Sequence, residues 1–325
     1  MNAEKIVVVT QKTRLEGLLD RFNTRAQAKF WIEHMGIDFA DYDREHDTYR
    51  RAVDEVRRRA EGFERKVQLL DRSFLPSFLF APQDVVVAVG RDGLVVNAAK
   101  YAGACPIVAV NPDPARWDGI LLPFSPATLG RGVQAVLEGR SVEKRVTMAE
   151  VKTNDGQSLV AFNDFLIGRK DQVSARYALT WHGRREAQSS SGILVSTGAG
   201  STGWLASTRH MAQSVARLLL PKAPALPDLR LAWDDPRLAF VVREPHASRS
   251  AGARIGAGLI AAGESLVVES QMPEGGAIFS DGVQEDALEF GAGCVATVAA
   301  SSRHARLVMD PRASARGGDT LRRVG

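Results

Sequence analysis

Two glycine-rich turns and one polar interruption carry the groups in this 325-residue chain that could do chemistry. The first turn closes Asp84-Val-Val-Val-Ala-Val-Gly-Arg-Asp-Gly93, an apolar strand-like run that stops at Gly90, Arg91, Asp92 and Gly93 before a helix-like segment over 94–102. Glycines at such a junction let the backbone approach a ligand, and the free N–H groups and positive end of the next helix favour anionic oxygens. This reads as a phosphate site with an acid in it. Asp92 would face the phosphate and take a proton from an attacking hydroxyl, a general-base effect of roughly 10² to 10⁴-fold. The plainer reading is a turn or helix-capping aspartate, because Asp-Gly is common in turns.

The second turn is Gly192-Ile-Leu-Val-Ser-Thr-Gly-Ala-Gly-Ser-Thr-Gly-Trp204. Gly198, Gly200 and Gly203 fit the dinucleotide fingerprint G-x-G-x-x-G between a strand-like and a helix-like run, which on its own would imply a dehydrogenase. That fingerprint also requires a second strand ending in an acidic residue about 20 positions on. Here the chain runs instead through Pro221, Pro224 and Pro227. Thr197, Ser201 and Thr202 place hydroxyls at the strand-to-helix junction, either as helix caps or as ligand contacts. Trp204 would stack on a base or nicotinamide ring, or pack into the core. Asn163 and Asp164 interrupt the apolar run over 159–167, where burial without partners would cost roughly 1 to 3 kcal/mol each; they are expected to meet a ligand or a defined network. Asp281-Gly282 is a further turn pair, functional or plain.

Taken in order, these segments resemble the signatures of the NAD kinase family: a Gly-Gly-Asp-Gly-Thr turn, a later Asn-Glu pair and a Thr-Pro-Thr-Gly-Ser-Thr-Ala-Tyr segment. They stand here as Gly90-Arg-Asp-Gly-Leu94, Asn163-Asp164 and Thr197-Gly-Ala-Gly-Ser-Thr-Gly-Trp204. The opening Lys5-Ile-Val-Val-Val-Thr-Gln-Lys-Thr-Arg14, the Asn111-Pro-Asp-Pro-Ala-Arg116 segment and the Ser190-Ser-Gly192 lead-in look most like the mitochondrial type, and the resemblance spans roughly residues 4 to 308. Asp281-Gly282 resembles the family's late Asp-Gly. The departures are specific. Arg91 replaces the second glycine, Leu94 the threonine, Asp164 the glutamate, and Ser191 an aspartate usual in many members. Were position 91 to require φ > 0, arginine would cost roughly 1 to 2 kcal/mol there.

The resemblance implies an ATP-dependent NAD kinase, in which the 2′-hydroxyl of the adenosine ribose attacks the γ-phosphate of ATP and NADP results. It implies Asp92 as general base, Gly90, Arg91 and Gly93 on the donor phosphates, and Asn163, Asp164, Ser191, Thr197, Gly200, Ser201, Thr202 and Trp204 on NAD. Mg²⁺ is expected with the donor, its ligands not visible in the sequence. A homo-oligomer, dimer or tetramer, is also implied. Two rivals stay open: an NAD(H)-binding sensor without catalysis, its donor site blocked by Arg91, and a lipid or other alcohol kinase of the same superfamily. A dehydrogenase lacks its second strand.

The elements that must position these groups are of two kinds. Over the first 124 residues, strand patterns at 6–10, 67–70, 85–89 and 107–110 alternate with helical ones at 24–35, 48–60 and 94–102. Such alternation implies a doubly wound parallel sheet, with ligands beyond the carboxyl ends of its strands. From about residue 141, short strands at 145–151, 159–167, 176–181, 192–196, 238–242, 266–269, 277–279 and 295–299 imply a β-rich, sandwich-like domain. The expected division is an α/β domain over 1–140, a β-rich dinucleotide-binding domain over 141–311, and a disordered or loosely docked polar tail over 312–325.

Composition excludes several classes. Apolar content of 45% and charged content of 25% are ordinary for a globular protein. With 42 basic against 38 acidic residues, the net charge of +4 does not point to nucleic acid, and Arg57-Arg-Arg59 reads as a solvated helix face. No apolar run reaches a membrane span, no leader precedes the first strand, and Cys105 and Cys294 read as buried free thiols, so a cytoplasmic protein is expected. The six histidines show no metal-ligand spacing.

Overall fold

Valine-rich runs whose residues are buried on both faces can only be central strands covered by helices on either side. Lys5–Thr10 (β1), Val85–Val89 (β3) and Pro106–Val110 (β4) are such runs, with Lys66–Asp71 (β2) a more exposed edge. The computed structural model describes residues 4–314. These form two compact units, 4–144 with 305–314, and Arg145–His304.

In the first unit the strands are parallel in the order β2, β1, β3, β4, and Arg306 and Leu307 add a further parallel strand beside Pro106 and Ile107. Helices Arg14–Phe22 (α1), Arg25–His34 (α2) and Phe39–Glu61 (α3) connect β1 to β2; Asp92–Tyr101 (α4) connects β3 to β4, and Leu129–Leu137 (α5) follows. This is the expected doubly wound arrangement. Tyr49, Val53, Val56 and Ala60 form one buried stripe of α3 against Ile6, Val8, Val85 and Val87. Arg57 and Arg59 lie on its outer face, paired at i,i+4 with Glu61 and Glu55. Because β1 leads to β2 on one side and the chain then returns to β3 on the other, the strand order reverses between β1 and β3. Ligands of open α/β sheets bind at such reversals.

The second unit is a sandwich of antiparallel strands. Glu143–Thr153 (β5), Ser158–Ala161 (β6), Ala175–Trp181 (β8), Arg184–Ser190 (β9), Leu266–Ser270 (β13) and the earlier part of Val295–Val308 (β16) make one layer. Asp164–Arg169 (β7), Ile193–Ser196 (β10), Leu238–Val242 (β11), Ala257–Ile260 (β12), Gly276–Ser280 (β14) and Val283–Glu289 (β15) make the other, in the order β12, β11, β10, β7, β14, β15. Tyr177, Leu179 and Val268 from one layer meet Phe165, Ile193, Phe240 and Ile278 from the other in a single buried cluster. Helix Trp204–Leu219 (α6) follows β10, and Pro311–Ser314 (α7) ends the described chain. Residues 315–325 of the expected tail lie outside the described residues.

The run over 159–167 is two strands, β6 and β7, broken at Phe162 and Asn163. Strands β9, β12 and β15 lie outside the segments expected from the sequence, as do α1 and α5. Cys105 is buried as expected, whereas Cys294 is half-buried; both are free thiols. Among the described residues no helix is long and apolar enough to cross a membrane, and no group of three or more His, Cys, Asp or Glu side chains could hold a metal ion.

Candidate functional site

In the first unit, the ends of β1 and β3 are tied together by one side chain. The buried Tyr49 hydroxyl accepts from the Gln11 N–H at 2.9 Å and donates to the Val89 carbonyl at 2.8 Å. Burial pushes this phenol well above its ordinary range, so it stays a neutral two-way bridge. Directly beyond it comes the turn over 90–93. A Cβ on Gly90 would lie 2.8 Å from Leu94 Cδ2, which accounts for a glycine there, whereas Gly93 has open space around it. Arg91 has φ −94° and ψ 169°, ordinary extended backbone. The cost foreseen for a positive φ at this position therefore does not arise.

Asp92 is the first residue of α4, and its Oδ1 accepts from the Leu121 N–H at 2.8 Å. That bond fastens the 111–122 loop to the turn. Asn111 secures the same loop by donating from Nδ2 to the Trp117 carbonyl at 2.8 Å. Gly119, at φ 63°, is required here, because a Cβ would approach Asn111 Nδ2 to 2.7 Å. The result is a cleft of about 440 Å³ at the β1/β3 reversal, lined among others by Gln11, Arg72, Arg91, Asp92, Trp117 and Asp118. Arg91 does not fill it; its guanidinium lies 4.9 Å over the Trp117 ring.

The second unit assembles its polar residues around Asp281. The Asp281-Gly282 pair joins β14 to β15 with φ of 55° and 70°, the positive values that a two-residue type I′ hairpin loop demands. From this loop the Asp281 carboxylate turns back and accepts from the N–H groups of Phe162 at 2.9 Å, Asn163 at 2.6 Å and Asp164 at 3.2 Å. A carboxylate taking three backbone donors explains why the strand breaks at Asn163: those N–H groups are satisfied by a side chain and need no neighbouring strand. Across from them, the Asn163 carbonyl accepts from the Thr197 N–H at 2.8 Å, and the Thr197 hydroxyl donates to the Phe162 carbonyl at 2.6 Å. A Cβ on Gly200 would lie 2.2 Å from the Asn163 carbonyl oxygen, and one on Gly198 1.8 Å from that of Ala232.

This network leaves two polar side chains without partners among the described residues, those of Asn163 and Asp164. Asp164 is only 8% exposed. Burial first, and the charge of Asp281 second, push its carboxyl up to about 7. A carboxyl raised in the folded state binds its proton more tightly than in the unfolded chain. The stability linked to it is full below its ordinary range near 4 and is lost as pH rises towards 7, at about 1.4 kcal/mol for each pH unit in between. Asp164→Asn is accordingly expected to raise the melting temperature at pH 8 relative to wild type and to leave it nearly unchanged at pH 4. Calorimetry giving parallel pH profiles for the two proteins would refute this.

The remaining expected residues fall in two groups. Ser201 is buried, its hydroxyl donating to the Gly198 carbonyl at 2.7 Å and accepting from the Leu231 N–H at 3.3 Å, while Thr202 is exposed. Gly203 caps α6 without a side-chain bond, so none of these hydroxyls caps that helix. Ser191 lies at the other end of β10, its N–H on the Arg243 carbonyl at 2.9 Å. Trp204 packs against Leu194, Leu205, Leu231 and Ala239, and the Arg243 guanidinium lies 5.2 Å over its ring. Asn163, Asp164, Thr197 and Gly200 thus share one network with Asp281, whereas Ser191 and Trp204 meet at Arg243. Strand β10 pairs antiparallel with both β7 and β11, so Gly198, Gly200 and Gly203 do not open a parallel βαβ unit and the dehydrogenase fingerprint fails on topology. Sequence reasoning missed Gln11, Arg72, Trp117 and Arg243. Two of them had a local signal, Gln11 lying within the Lys5 to Arg14 segment and Trp117 following directly on Asn111-Pro-Asp-Pro-Ala-Arg116.

No protein-family model matches the sequence, and no curated protein does. Among solved structures the chain is similar to an NAD kinase from Archaeoglobus fulgidus in complex with ATP, at 16% identity and a TM-score of 0.54, over 99% of this chain and 100% of that one. It is similar as well to yeast NADH kinase complexed with NADH, at 13% identity and a TM-score of 0.56, over 100% of this chain and 89% of the other. The likeness is one of fold. The chain has the NAD kinase-like architecture, an α/β unit followed by an antiparallel β-rich one.

Proposed function

We propose that this protein is an NAD kinase, a cytoplasmic homo-oligomer that transfers the γ-phosphoryl group of ATP to the 2′-hydroxyl of the adenosine ribose of NAD. The observation that carries this reading is Asp92 at the β1/β3 reversal, one carboxylate oxygen tethered by the Leu121 N–H and its residue lining a cleft of about 440 Å³. The fold it shares with an NAD kinase bound to ATP and with an NADH kinase bound to NADH supports the same reading.

Phosphoryl transfer runs through a loose transition state, so positioning and charge neutralisation supply most of the rate. The ribose hydroxyl gives its proton to Asp92 as its oxygen bonds to the γ-phosphorus, and the bond to the ADP oxygen breaks. Holding Oδ1 on the loop leaves Oδ2 for that proton. Gly90 and Gly93 keep the turn low enough for the donor phosphates to reach backbone N–H groups. In the β-rich unit, Thr197, Gly200 and Ser201 shape the turn after β10, while Asn163, Asp164, Ser191, Thr202 and Trp204 contact the dinucleotide.

Asp118 also lines the cleft, and a carboxylate with donor phosphates and water suits Mg²⁺, which seldom takes a cage made wholly of protein groups. Asp118 would hold it, and its charge would neutralise the donor phosphates. Purified protein given NAD, ATP and Mg²⁺ is expected to form NADP and ADP in equal amounts; NAD left unphosphorylated would overturn the reading. Asn163→Ala is expected to weaken NAD binding by about 1 to 3 kcal/mol, the worth of a hydrogen bond whose partner is left buried. Titration calorimetry with unchanged NAD affinity would remove Asn163 from the dinucleotide site.

A further inference from the structure

The cleft that Asp92 and Asp118 line also contains two guanidinium groups, and neither is in an ion pair with a carboxylate among the described residues. Arg91 makes no hydrogen bond or ion pair among the described residues; its guanidinium lies over the face of Trp117, at 4.9 Å. Arg72 opens a short 3₁₀ turn, Arg72–Ser77, and spends only Nε, on Asn97 Oδ1 at 3.2 Å. The neighbouring Arg14 and Arg116, by contrast, are spent on carboxylates. Asp41 takes Arg116 and Arg14 together, which holds its carboxyl well below the usual range, and Arg14 also pairs with Glu45.

That cluster explains how Trp117 is fixed. Arg116, held by Asp41, lies 5.5 Å over the same ring, and Asn111 holds the Trp117 carbonyl. A ring pinned in this way is a rigid platform for Arg91, keeping a long and flexible side chain in the cleft with its forked N–H donors unspent. Trp117 is the only aromatic side chain among the cleft's lining residues, and guanidinium groups already lie over it. Little is left to stack on a base. The lining favours phosphoryl oxygens, for which the planar fork of arginine is matched.

We propose that Arg72 and Arg91 grip the phosphate chain of the donor, with Trp117 as the positioning residue that holds Arg91 in place, so that the donor is recognised through its phosphates and not its base. This rests on the kinase reading above, and it assigns Arg91 a working role at the position where the resemblance calls for glycine.

Inorganic tripolyphosphate is the direct probe, titrated calorimetrically with Mg²⁺ into the full-length protein, with NAD titrated in parallel. Wild type is expected to bind tripolyphosphate at least tenfold more tightly than AMP. Arg72→Ala and Arg91→Ala should each weaken tripolyphosphate at least tenfold while NAD affinity stays within twofold. Trp117→Leu should weaken it too, and adding Arg91→Ala to Trp117→Leu should cost no more than Arg91→Ala alone, whereas Trp117→Phe, which keeps a ring, should retain most of the affinity. Unchanged or tighter binding of tripolyphosphate by Arg91→Ala would overturn the proposal and make Arg91 a plug, as would wild type that binds AMP as well as tripolyphosphate. Arginine-dependent binding without NADP formation would sink the kinase reading and leave the grip standing. NADP formation with a donor KM indifferent to both arginines would do the reverse.

Discussion

Asp92→Asn is expected to lower the rate of NADP formation by about 100-fold or more while leaving NAD affinity within a few-fold, the range for loss of a general base. Asparagine has nearly the same size and keeps an oxygen that can accept from the Leu121 N–H, which lies 2.8 Å from Asp92 Oδ1, so the 111–122 loop should stay fastened to the turn. What disappears is the basic second oxygen. The effect belongs in kcat, because the proton moves only as the phosphoryl group does, and KM for NAD should change little. A variant turning over near the wild-type rate would take Asp92 out of the mechanism and leave it a loop anchor.

The other large effect is expected at Gly200. A methyl group there would sit 2.2 Å from the Asn163 carbonyl oxygen and 2.7 Å from both its carbonyl carbon and Ser196 Oγ. The obstacle is backbone and cannot swing aside: the Asn163 oxygen accepts from Thr197, and the Asn163 N–H is held by Asp281. Gly200→Ala should therefore cost about 3 kcal/mol or more, at the upper end for overpacking, and abolish measurable NAD binding. Gly93→Ala is the matched control. Its Cβ would meet nothing within 4 Å, and in the first turn of α4 alanine should be neutral or stabilising by about 0.5 to 1 kcal/mol. Equal melting temperatures for Gly200→Ala and wild type would show that the turn after β10 is not the close-packed junction described.

Much of the fold could be read along the chain, and what could not shares a cause. Central strands such as β1, β3 and β4 are apolar on both faces, so their residues alone identify them. The strands missed are edges. Arg184–Ser190 and Val283–Glu289 are largely polar and owe their conformation to one hydrogen-bonded neighbour, β8 and β14, and Ala257–Ile260 lies on the edge beside β11. Helix α1 did have a local signal, the Thr13 and Glu16 capping box, but only nine residues and one buried apolar side chain. The return of the chain end to the first unit, through Arg306 and Leu307 beside β4, rests on pairing between residues 200 positions apart, which no local pattern encodes.

The candidate site divides the same way. Residue type and order along the chain were enough to single out Gly90 to Gly93, Asn163-Asp164 and the glycine-rich segment before Trp204, because backbone approach and a polar pair in an apolar run are local demands. Tertiary structure decided what each does. It gave Arg91 an ordinary φ and a place over Trp117, made Asp281 the acceptor that breaks the strand at Asn163, turned the hydroxyls of Thr197 and Ser201 inward onto carbonyls, and left the Asp164 carboxyl buried near a second negative charge. Apart from the Arg91 backbone and the local Ser201–Gly198 bond, these depend on groups tens of residues apart in the chain brought within a few ångströms, where burial and neighbouring charge, absent from any reading of one segment, set how a side chain is used.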